Sequence, residues 1–370
     1  MRPLRVLITN HFLRGRTGSE LYVCELATSL LRREHTPVVY SPQLGPSARE
    51  LRDATVPVID NLDALSSPPD LIHGQHHVET MAALLRFPNT PAVFFCHGWL
   101  PWEETPPQHP RILRFVAVDD TCRDRLVCES GAREDRVSVI LNSVDTDQFR
   151  ARPPLPSKPA RALLFSNGAT HVNAVREACR RTQLTLDVIG ADSGNVATRP
   201  QDVLGQYDIV FAKARCALEA LAVGSAVVLC DTVGVGPMVT TREVDQLRRL
   251  NFGVRALQET VNADVLEKEI ARYDASDATE VSRRIRNGAG REAAIDQILA
   301  LYHDVVDEFT ETRRDLDAEA RAEALYLQQL SLHLERERNQ LLHSQTFRLR
   351  NRLVNLPLIG PLFRSFARKF

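Results

Sequence analysis

The stretch 207–231 constrains the fold more than any other part of the chain. Its residues 208–212 form an apolar run that is long enough for a buried strand and too short for a helix. Residues 216–222 then carry apolar side chains at helical spacing, and Gly224 stands where a left-handed helix C-cap is expected. A second buried strand follows at 226–230. This order predicts a βαβ unit, whose ligand edge is at the carboxyl ends of its strands.

Three polar side chains lie at or just beyond this edge. Lys213, Arg215 and Glu219 follow the first strand, near a helix N-terminus that favours anions. Arginine is suited to bidentate contacts with phosphate, and lysine supplies a point charge. We therefore expect an anion site here, with a solvated surface position for Lys213 and Arg215 as the alternative.

Residues 219–224, Glu-Ala-Leu-Ala-Val-Gly, are followed by a valine-rich strand. This segment resembles the donor-sugar signature of GT-B glycosyltransferases, in particular the retaining enzymes of family 4. The resemblance implies that Glu219 accepts hydrogen bonds from the ribose hydroxyls of a nucleotide sugar. The chain departs from the family pattern in that the usual leading glutamate falls on Phe211. The loop is also shortened, with Lys213 and Arg215 in its place.

Two motifs of the first half extend the resemblance. Residues 17–20, Thr-Gly-Ser-Glu, indicate a capping box. The family's glycine-containing loop lets the backbone approach the donor at this point, so Gly18 is a candidate donor contact; a glycine that serves only the turn is the alternative. Residues 94–98, Phe-Phe-Cys-His-Gly, place His97 at the carboxyl end of a buried strand. The resemblance implies that His97 contacts the donor sugar and supports charge in the transition state; a structural histidine is the alternative.

For the other polar residues of the first half, a structural role is the first interpretation and a chemical role the second. His73, His76 and His77 lie together in the sequence, but no nearby cysteine or carboxylate completes a zinc pattern, so no metal is predicted. Asp119 or Asp120 is expected to be a helix N-cap, and a general base is the second interpretation.

The boundary between two domains is expected near residue 150. Residues 142–149 resemble the segment that ends the first GT-B domain, and 152–159 contains four prolines. In the second domain, 232–237 is predicted to be a loop at the carboxyl edge of the sheet. Its Gly234 and Gly236 are candidate contacts for the diphosphate or the sugar, although Gly-x-Gly alone is a weak signal.

Composition limits the classes of protein that fit. The 370 residues suggest two domains, and a net charge of −1 gives no reason to expect a nucleic-acid partner. Seven scattered cysteines predict reduced thiols in a cytoplasmic protein. No apolar run approaches the roughly 20 residues of a spanning helix.

The C-terminal seventy residues lie outside the resemblance. Residues 291–342 are predicted to form one long charged helical run, whose interrupted heptad rows leave open a coiled coil, and with it a homodimer, or a solvated helix. Residues 343–370 carry five arginines, one lysine and no acidic residue around the apolar segment 353–363. This pattern is typical of an interfacial anchor on an anionic membrane.

The sequence thus predicts an α/β protein of the GT-B fold, with two Rossmann-like domains facing a cleft and a C-terminal helical extension. The predicted segments are an N-terminal acceptor-side domain (1–150), a linker (151–160), a nucleotide-sugar-binding domain (161–300), a long helix (301–342) and a basic tail (343–370).

The predicted function is transfer of a sugar from a nucleoside diphosphate sugar to a membrane-linked or cell-surface polysaccharide acceptor. The resemblance implies that the transfer needs no metal or cofactor and retains configuration. The predicted partners are the nucleotide sugar, a glycan or lipid-linked acceptor, and the inner face of the cytoplasmic membrane. One alternative is a catalytically degenerate GT-B scaffold in a glycan-assembly complex; a sugar-nucleotide epimerase is a third class.

Overall fold

The computed structural model describes residues 2–168, 170–190, 194–195, 197 and 199–344. The chain divides into two units, Met1–Pro106 with Arg111–Arg313, and Pro107–Pro110 with Arg314–Phe370. The predicted tail is 343–370, and all of it after Ser344 lies outside the described residues.

The N-terminal half of the large unit is built on seven parallel strands in the order β3-β2-β1-β4-β5-β6-β7. Apart from those of β7, most of their apolar residues are buried, as expected for a parallel sheet covered by helices. The strands are β1 Arg5–Thr9, β2 Thr36–Tyr40, β3 Val58–Ile59, β4 Leu71–Gly74, β5 Ala92–Cys96, β6 Ile112–Ala117 and β7 Val137–Val139. The helices are α1 Gly18–Arg32, α2 Pro46–Asp53, α3 His77–Arg86 and α4 Asp120–Asp124.

The C-terminal half has a five-stranded sheet in the order β12-β11-β10-β8-β9, parallel except for β12. Its strands are β8 Arg161–Phe165, β9 Thr185–Ile189, β10 Ile209–Ala212, β11 Ala226–Asp231 and β12 Gly234–Met238. Its helices are α5 Val172–Arg181, α6 Ala214–Val223, α7 Val244–Arg249, α8 Ala263–Ile270 and α9 Ala275–Gly288.

The βαβ unit predicted from 207–231 is present as β10, α6 and β11. Gly224 ends α6 with φ +102°, the left-handed conformation expected at a C-cap. The cap positions of the N-terminal half also follow the sequence: Glu20 accepts a hydrogen bond from the Thr17 N–H at 2.8 Å. Asp119 accepts one from the Cys122 N–H at 2.7 Å, so its first interpretation as an N-cap is correct.

The prediction of a loop at 232–237 is wrong. This segment turns back and runs antiparallel to β11 as strand β12, with Asp231 opposite Gly234. The two glycines permit the close approach of the next segment, because a Cβ on Gly236 would lie 2.4 Å from the Ala256 carbonyl oxygen. A Cβ on Gly234 would lie 2.8 Å from the Leu257 carbonyl oxygen.

The single helix predicted for 291–342 is instead two helices, α10 Arg291–Glu311 and α11 Leu316–His343. The break is set by Asp315, which caps α11 by accepting a hydrogen bond from the Ala318 N–H at 2.9 Å. Helix α10 belongs to the large unit and returns to the N-terminal half, where Tyr302 and Val305 are fully buried in that half's core. Helix α11 belongs to the small unit, and leucines along it are exposed.

All seven cysteines are free thiols. Within the part of the chain that the structure describes, no helix is both long and apolar enough to cross a bilayer.

The tight packing at Gly236 gives a first prediction. Gly236→Ala should lower the free energy of unfolding by about 1–3 kcal/mol, because the new methyl group overlaps a backbone carbonyl that cannot rotate away. The matched control is Gly288→Ala at the end of α9, where an added Cβ meets nothing within 4 Å. Thermal denaturation of both variants measures the difference; equal melting temperatures would show that β12 tolerates the methyl group.

Candidate functional site

A cleft of about 530 Å³ lies between the two sheets of the large unit. Its walls come mainly from loops that follow the carboxyl ends of β1, β5 and β10, which is the ligand edge of parallel α/β sheets. The lining residues are His11, Phe12, Thr17, Gly18, Ser19, Tyr22, Glu25, His76, His97, Pro101, Glu103, Glu104, Asn142, Ser143, Ala214, Arg215 and Asn251. Three of the residues selected from the sequence, Gly18, His97 and Arg215, are therefore brought to one cavity.

His97 lies directly after β5, as the sequence predicted, and lines the cleft. Its ring meets that of Tyr22 edge to face, with centroids 4.4 Å apart. Burial lowers the pKa of His97 to about 4, so the imidazole is neutral at neutral pH. Its Nε2 is buried and has no hydrogen-bond partner within the described residues. A buried ring nitrogen without a partner is the kind of group that a bound water or a ligand hydroxyl satisfies.

Glu104 supports the loop that carries His97, and the sequence interpretation did not use it. Its carboxylate accepts a hydrogen bond from the backbone N–H of His97 at 3.0 Å. Burial raises the pKa of Glu104, while the backbone N–H of His97 and the charge of Arg125 oppose that shift. Arg125 in turn donates to the carbonyl oxygen of Gly98 at 2.5 Å and to that of Pro101 at 2.9 Å.

Gly18 begins α1 with its backbone facing open space, since an added Cβ would meet nothing within 4 Å. The backbone N–H groups of the first helical turn have no partner within the helix and favour negative groups. Gly18 therefore has the surroundings expected of a backbone contact to a ligand, and its role in donor binding stays a prediction.

Arg215 is the centre of an ion cluster that joins the two halves. Its Nε donates to Glu219 Oε1 at 2.7 Å, and its NH1 donates to Glu25 Oε2 of α1 at 2.9 Å. Arg291, at the start of α10, donates to Glu25 Oε1 at 2.7 Å and to Asp145 Oδ2 at 3.0 Å. We call Glu25, Asp145, Arg215, Glu219 and Arg291 the cleft ion cluster.

Glu219 is in this cluster and not on the cleft wall. Its side chain is 6% exposed, and its ion-pair partner Arg215 lines the cavity whereas Glu219 does not. Burial raises the pKa of Glu219, while the charge of Arg215 and its hydrogen bond oppose the shift. A ribose diol could reach this carboxylate only if Arg215 shared or released it. The donor-binding role of Glu219 stays a prediction.

Lys213, Gly234 and Gly236 do not line the cleft either. Lys213 is ion-paired with Asp231, whose other oxygen accepts a hydrogen bond from Ser166 Oγ at 3.2 Å. The two glycines are buried in β12 and are explained by packing. The structure gives no support to their role as donor contacts, which stays a prediction.

The histidine run 73–77 is divided between the core and the cleft. His73 is fully buried, with Nδ1 2.6 Å from the Tyr302 hydroxyl, whereas His76 lines the cavity. Among the described residues, no group of three His, Cys, Asp or Glu side chains is arranged to hold a metal ion.

Two cleft residues that sequence reasoning missed hold the backbone in the left-handed region. Ala214 has φ +48° and Asn251 has φ +53°, and the Ala214 N–H donates to the Phe252 carbonyl oxygen at 2.9 Å. Non-glycine residues in this region carry strain, and such residues concentrate at functional sites. Asparagine is enriched in this region, so Asn251 is compatible with it, whereas nothing about an alanine signals the conformation of Ala214 in advance.

Comparisons with known proteins agree with this architecture. Residues 16–148 match the model of Glycosyltransferase Family 4. A glycosyltransferase from Rickettsia africae ESF-5 is similar in structure, with a TM-score of 0.61 at 15% identity over 83% of this chain and 99% of the other. Anabaena Alr3699/HepE, in complex with UDP-glucose, has a TM-score of 0.62 at 13% identity over 81% of this chain and 100% of the other. No curated protein sequence matches the chain.

The chain is therefore an α/β protein with the GT-B fold, as the sequence predicted. Its residues 16–148 are similar to Glycosyltransferase Family 4, which confirms the resemblance and the class of enzyme that it implies, a glycosyltransferase.

The cleft ion cluster gives a second prediction. Arg215→Gln should destabilise the fold by about 3 kcal/mol, because it leaves the buried Glu219 without its cation. The pKa of Glu219 is already raised by burial and should rise further. The folded state would then hold a proton that the unfolded state releases, so stability should fall as pH rises above the ordinary pKa of a glutamate.

Melting temperatures across this pH range test the effect. The matched control is Arg215→Gln with Glu219→Gln, which removes the titrating carboxyl and should not show the additional slope. Parallel curves for the two proteins would mean that Arg215 does not control the ionisation of Glu219.

Proposed function

We propose that the chain transfers a glycosyl unit from a nucleoside diphosphate sugar bound in this cleft. The observation that carries the proposal is the convergence of His97, Gly18 and Arg215 on one cavity between the two sheets. Together they offer a neutral imidazole, exposed backbone amides at a helix N-terminus, and a guanidinium. These are the groups that a sugar hydroxyl, a diphosphate and a developing negative charge on the leaving group require.

The family match and the UDP-glucose complex of the Anabaena protein support this donor class. We further propose, from the resemblance, that the reaction needs no metal and that the acceptor is a membrane-linked or cell-surface glycan. Retention of configuration is the stereochemical outcome that the resemblance implies; the contacts described above do not bear on it.

Gly18 offers a clean test of donor binding. Gly18→Val should weaken binding of the donor at least tenfold, about 1.4 kcal/mol, because the side chain enters the open space that a phosphate or sugar would use. The fold should be unaffected, since nothing stands near the added atoms. Calorimetric titration with UDP-, GDP- and dTDP-sugars measures the affinities, and Gly288→Ala is the control outside the cleft.

The same titration tests whether the donor binds in this cleft. Equal affinities of Gly18→Val and the native chain for a nucleotide sugar would place the donor elsewhere. Failure of the native chain to bind any of these donors would contradict the proposed function.

One observation favours the scaffold alternative. Two of the predicted donor contacts already have partners: Lys213 is paired with Asp231, and Glu219 with Arg215. In a catalytically degenerate domain these two ion pairs would stay intact and no nucleotide would bind. The titration above therefore separates the two functions, because a scaffold should show no donor binding and an enzyme should show binding that Gly18→Val weakens.

We also propose that the chain acts in the cytoplasm on the membrane surface, through the basic tail, and that the exposed leucines of α11 pair two copies.

The full chain should float with anionic vesicles, and a chain ending at Leu342 should not. Binding should weaken as salt rises from about 0.1 M to about 1 M, because the Debye length falls from about 10 Å to about 3 Å. Equal flotation of both chains would remove the tail from membrane binding.

A further inference from the structure

Arg248, on α7, differs from the arginines near it in having no anionic partner among the described residues. Its NH1 is buried and makes no hydrogen bond there. The neighbouring Arg249 and Arg255 are both paired, with Asp120 and Asp124. Burial lowers the pKa of Arg248 to about 10, and no neighbouring carboxylate opposes that shift. A largely buried cation without an anion costs free energy, so its presence calls for an explanation.

The side chain lines a cavity of about 230 Å³. The walls come from β7 and the residues that follow it, from the turn 288–290 between α9 and α10, and from the first two turns of α10. None of the described residues that line it carries a carboxylate. Ser143 is the lining residue that this cavity shares with the cleft. We call it the Arg248 cavity.

Helix α10 begins at the same cavity. It is 21 residues long, and Gly290 at its N-cap provides no side chain to satisfy the first N–H groups. Ala293, in the first turn, lines the cavity. The acidic residue of that turn, Glu292, does not line it and is paired with Arg33 at 2.8 Å. The positive end of the helix dipole therefore adds to the charge of the guanidinium.

These groups together suit a phosphate group. A guanidinium donates two parallel hydrogen bonds to an oxyanion, and a helix N-terminus binds the same kind of ligand. The hydroxyl of Ser143 and the amide of Gln297, which also line the cavity, are further donors. Sites for whole drug-sized ligands measure about 300–1,000 Å³. The Arg248 cavity is smaller, so it fits a phosphate or a small phosphate ester and not a complete nucleotide sugar.

We propose that the Arg248 cavity binds a phosphate group, at a site separate from the donor in the cleft. The source is either free phosphate or the phosphate of a small sugar phosphate, and no bond is made or broken. Arg248 belongs to the C-terminal half and Ser143 to the N-terminal half, so the bound anion contacts both and stabilises their association. The proposal does not depend on the proposed glycosyl transfer.

The experiment measures melting temperatures of the full chain in sodium phosphate and in sodium chloride of equal ionic strength. Phosphate also stabilises proteins by exclusion from their surface, but that effect is common to all variants. In about 10 mM phosphate the native chain should gain at least about 2 °C more than Arg248→Met gains. Arg249→Met, the same substitution at the next residue, is the control and should keep the native gain, because that side chain is exposed and paired with Asp120.

A second variant tests the site without removing the arginine. Gln297→Glu places a carboxylate of nearly the same shape at the cavity, where it repels phosphate and competes for Arg248. The residue is exposed, so the fold should be kept, and the phosphate-dependent gain should be reduced. Gln246→Glu makes the same change at an exposed position of α7 that does not line the cavity, and should behave as the native chain.

Calorimetric titration identifies the source of the phosphate. The ligands are inorganic phosphate, glucose 6-phosphate and glucose, each added to the native chain and to Arg248→Met. Glucose should show no binding that depends on Arg248. Tighter binding of glucose 6-phosphate than of inorganic phosphate assigns a sugar phosphate, and any other order assigns free phosphate.

The remaining outcomes decide whether the site exists. An equal gain in phosphate for the native chain and Arg248→Met overturns the proposal, and so does a loss of the gain in Arg249→Met. An equal Arg248-dependent gain with acetate also overturns it, because the cavity would then take any anion. Loss of nucleotide-sugar binding in Arg248→Met would make the cavity part of the donor site. Failure of the native chain to bind any nucleotide sugar contradicts only the proposed function, since the phosphate gain is measured without a donor.

Discussion

The arrangement of the large unit depends on the two ion pairs that the carboxylate of Glu25 makes. It lies on α1 of the N-terminal half and receives Arg215 from the C-terminal half and Arg291 from α10. The buried guanidinium of Arg291 and the partly buried guanidinium of Arg215 both pair with Glu25, and Glu219 and Asp145 complete the cluster. The position of each half at the cleft is therefore tied to a charge balance, and a change at one member leaves an unpaired charge on another.

Other ion pairs between the halves lie nearer the surface and contribute less. Arg249 makes a bidentate pair with Asp120 at 2.7 Å and 2.8 Å, but the arginine side chain is 63% exposed. Arg255 contacts Asp124 with both side chains more than a third exposed. Exposed pairs of this kind contribute about 0–1 kcal/mol each. The cleft ion cluster is less exposed and therefore contributes more to holding the two halves together.

The fold could be predicted because its caps and strands depend on residues that are neighbours in the sequence. Much of the site could not, because its contacts join residues that are far apart in the sequence. The βαβ unit, the Gly224 cap and the Glu20 cap are set by neighbours within a few residues, and each was predicted from them. The Arg215–Glu25 contact joins residues 190 positions apart, and the contact between His11 Nδ1 and Glu79 Oε1 joins residues 68 positions apart. No local pattern marks such pairs. The prediction of a loop at 232–237 was wrong for a related reason. Its two glycines are required by close packing against the 256–259 backbone, which is distant in sequence, and not by a loop conformation.

The cleft ion cluster also limits which groups a nucleotide sugar could contact in the cleft. The cluster takes the carboxylate that family 4 would offer to a ribose, and the missing leading glutamate at Phe211 removes a second donor contact. Under the proposed function, donor recognition then depends more on backbone groups such as those of Gly18, and on Arg215 itself. A nucleotide that draws Arg215 toward its phosphates would release Glu219 and weaken the bridge to Glu25 in the same motion. If the cleft binds such a nucleotide, the contact between the two halves and the binding of the donor would therefore depend on the same guanidinium.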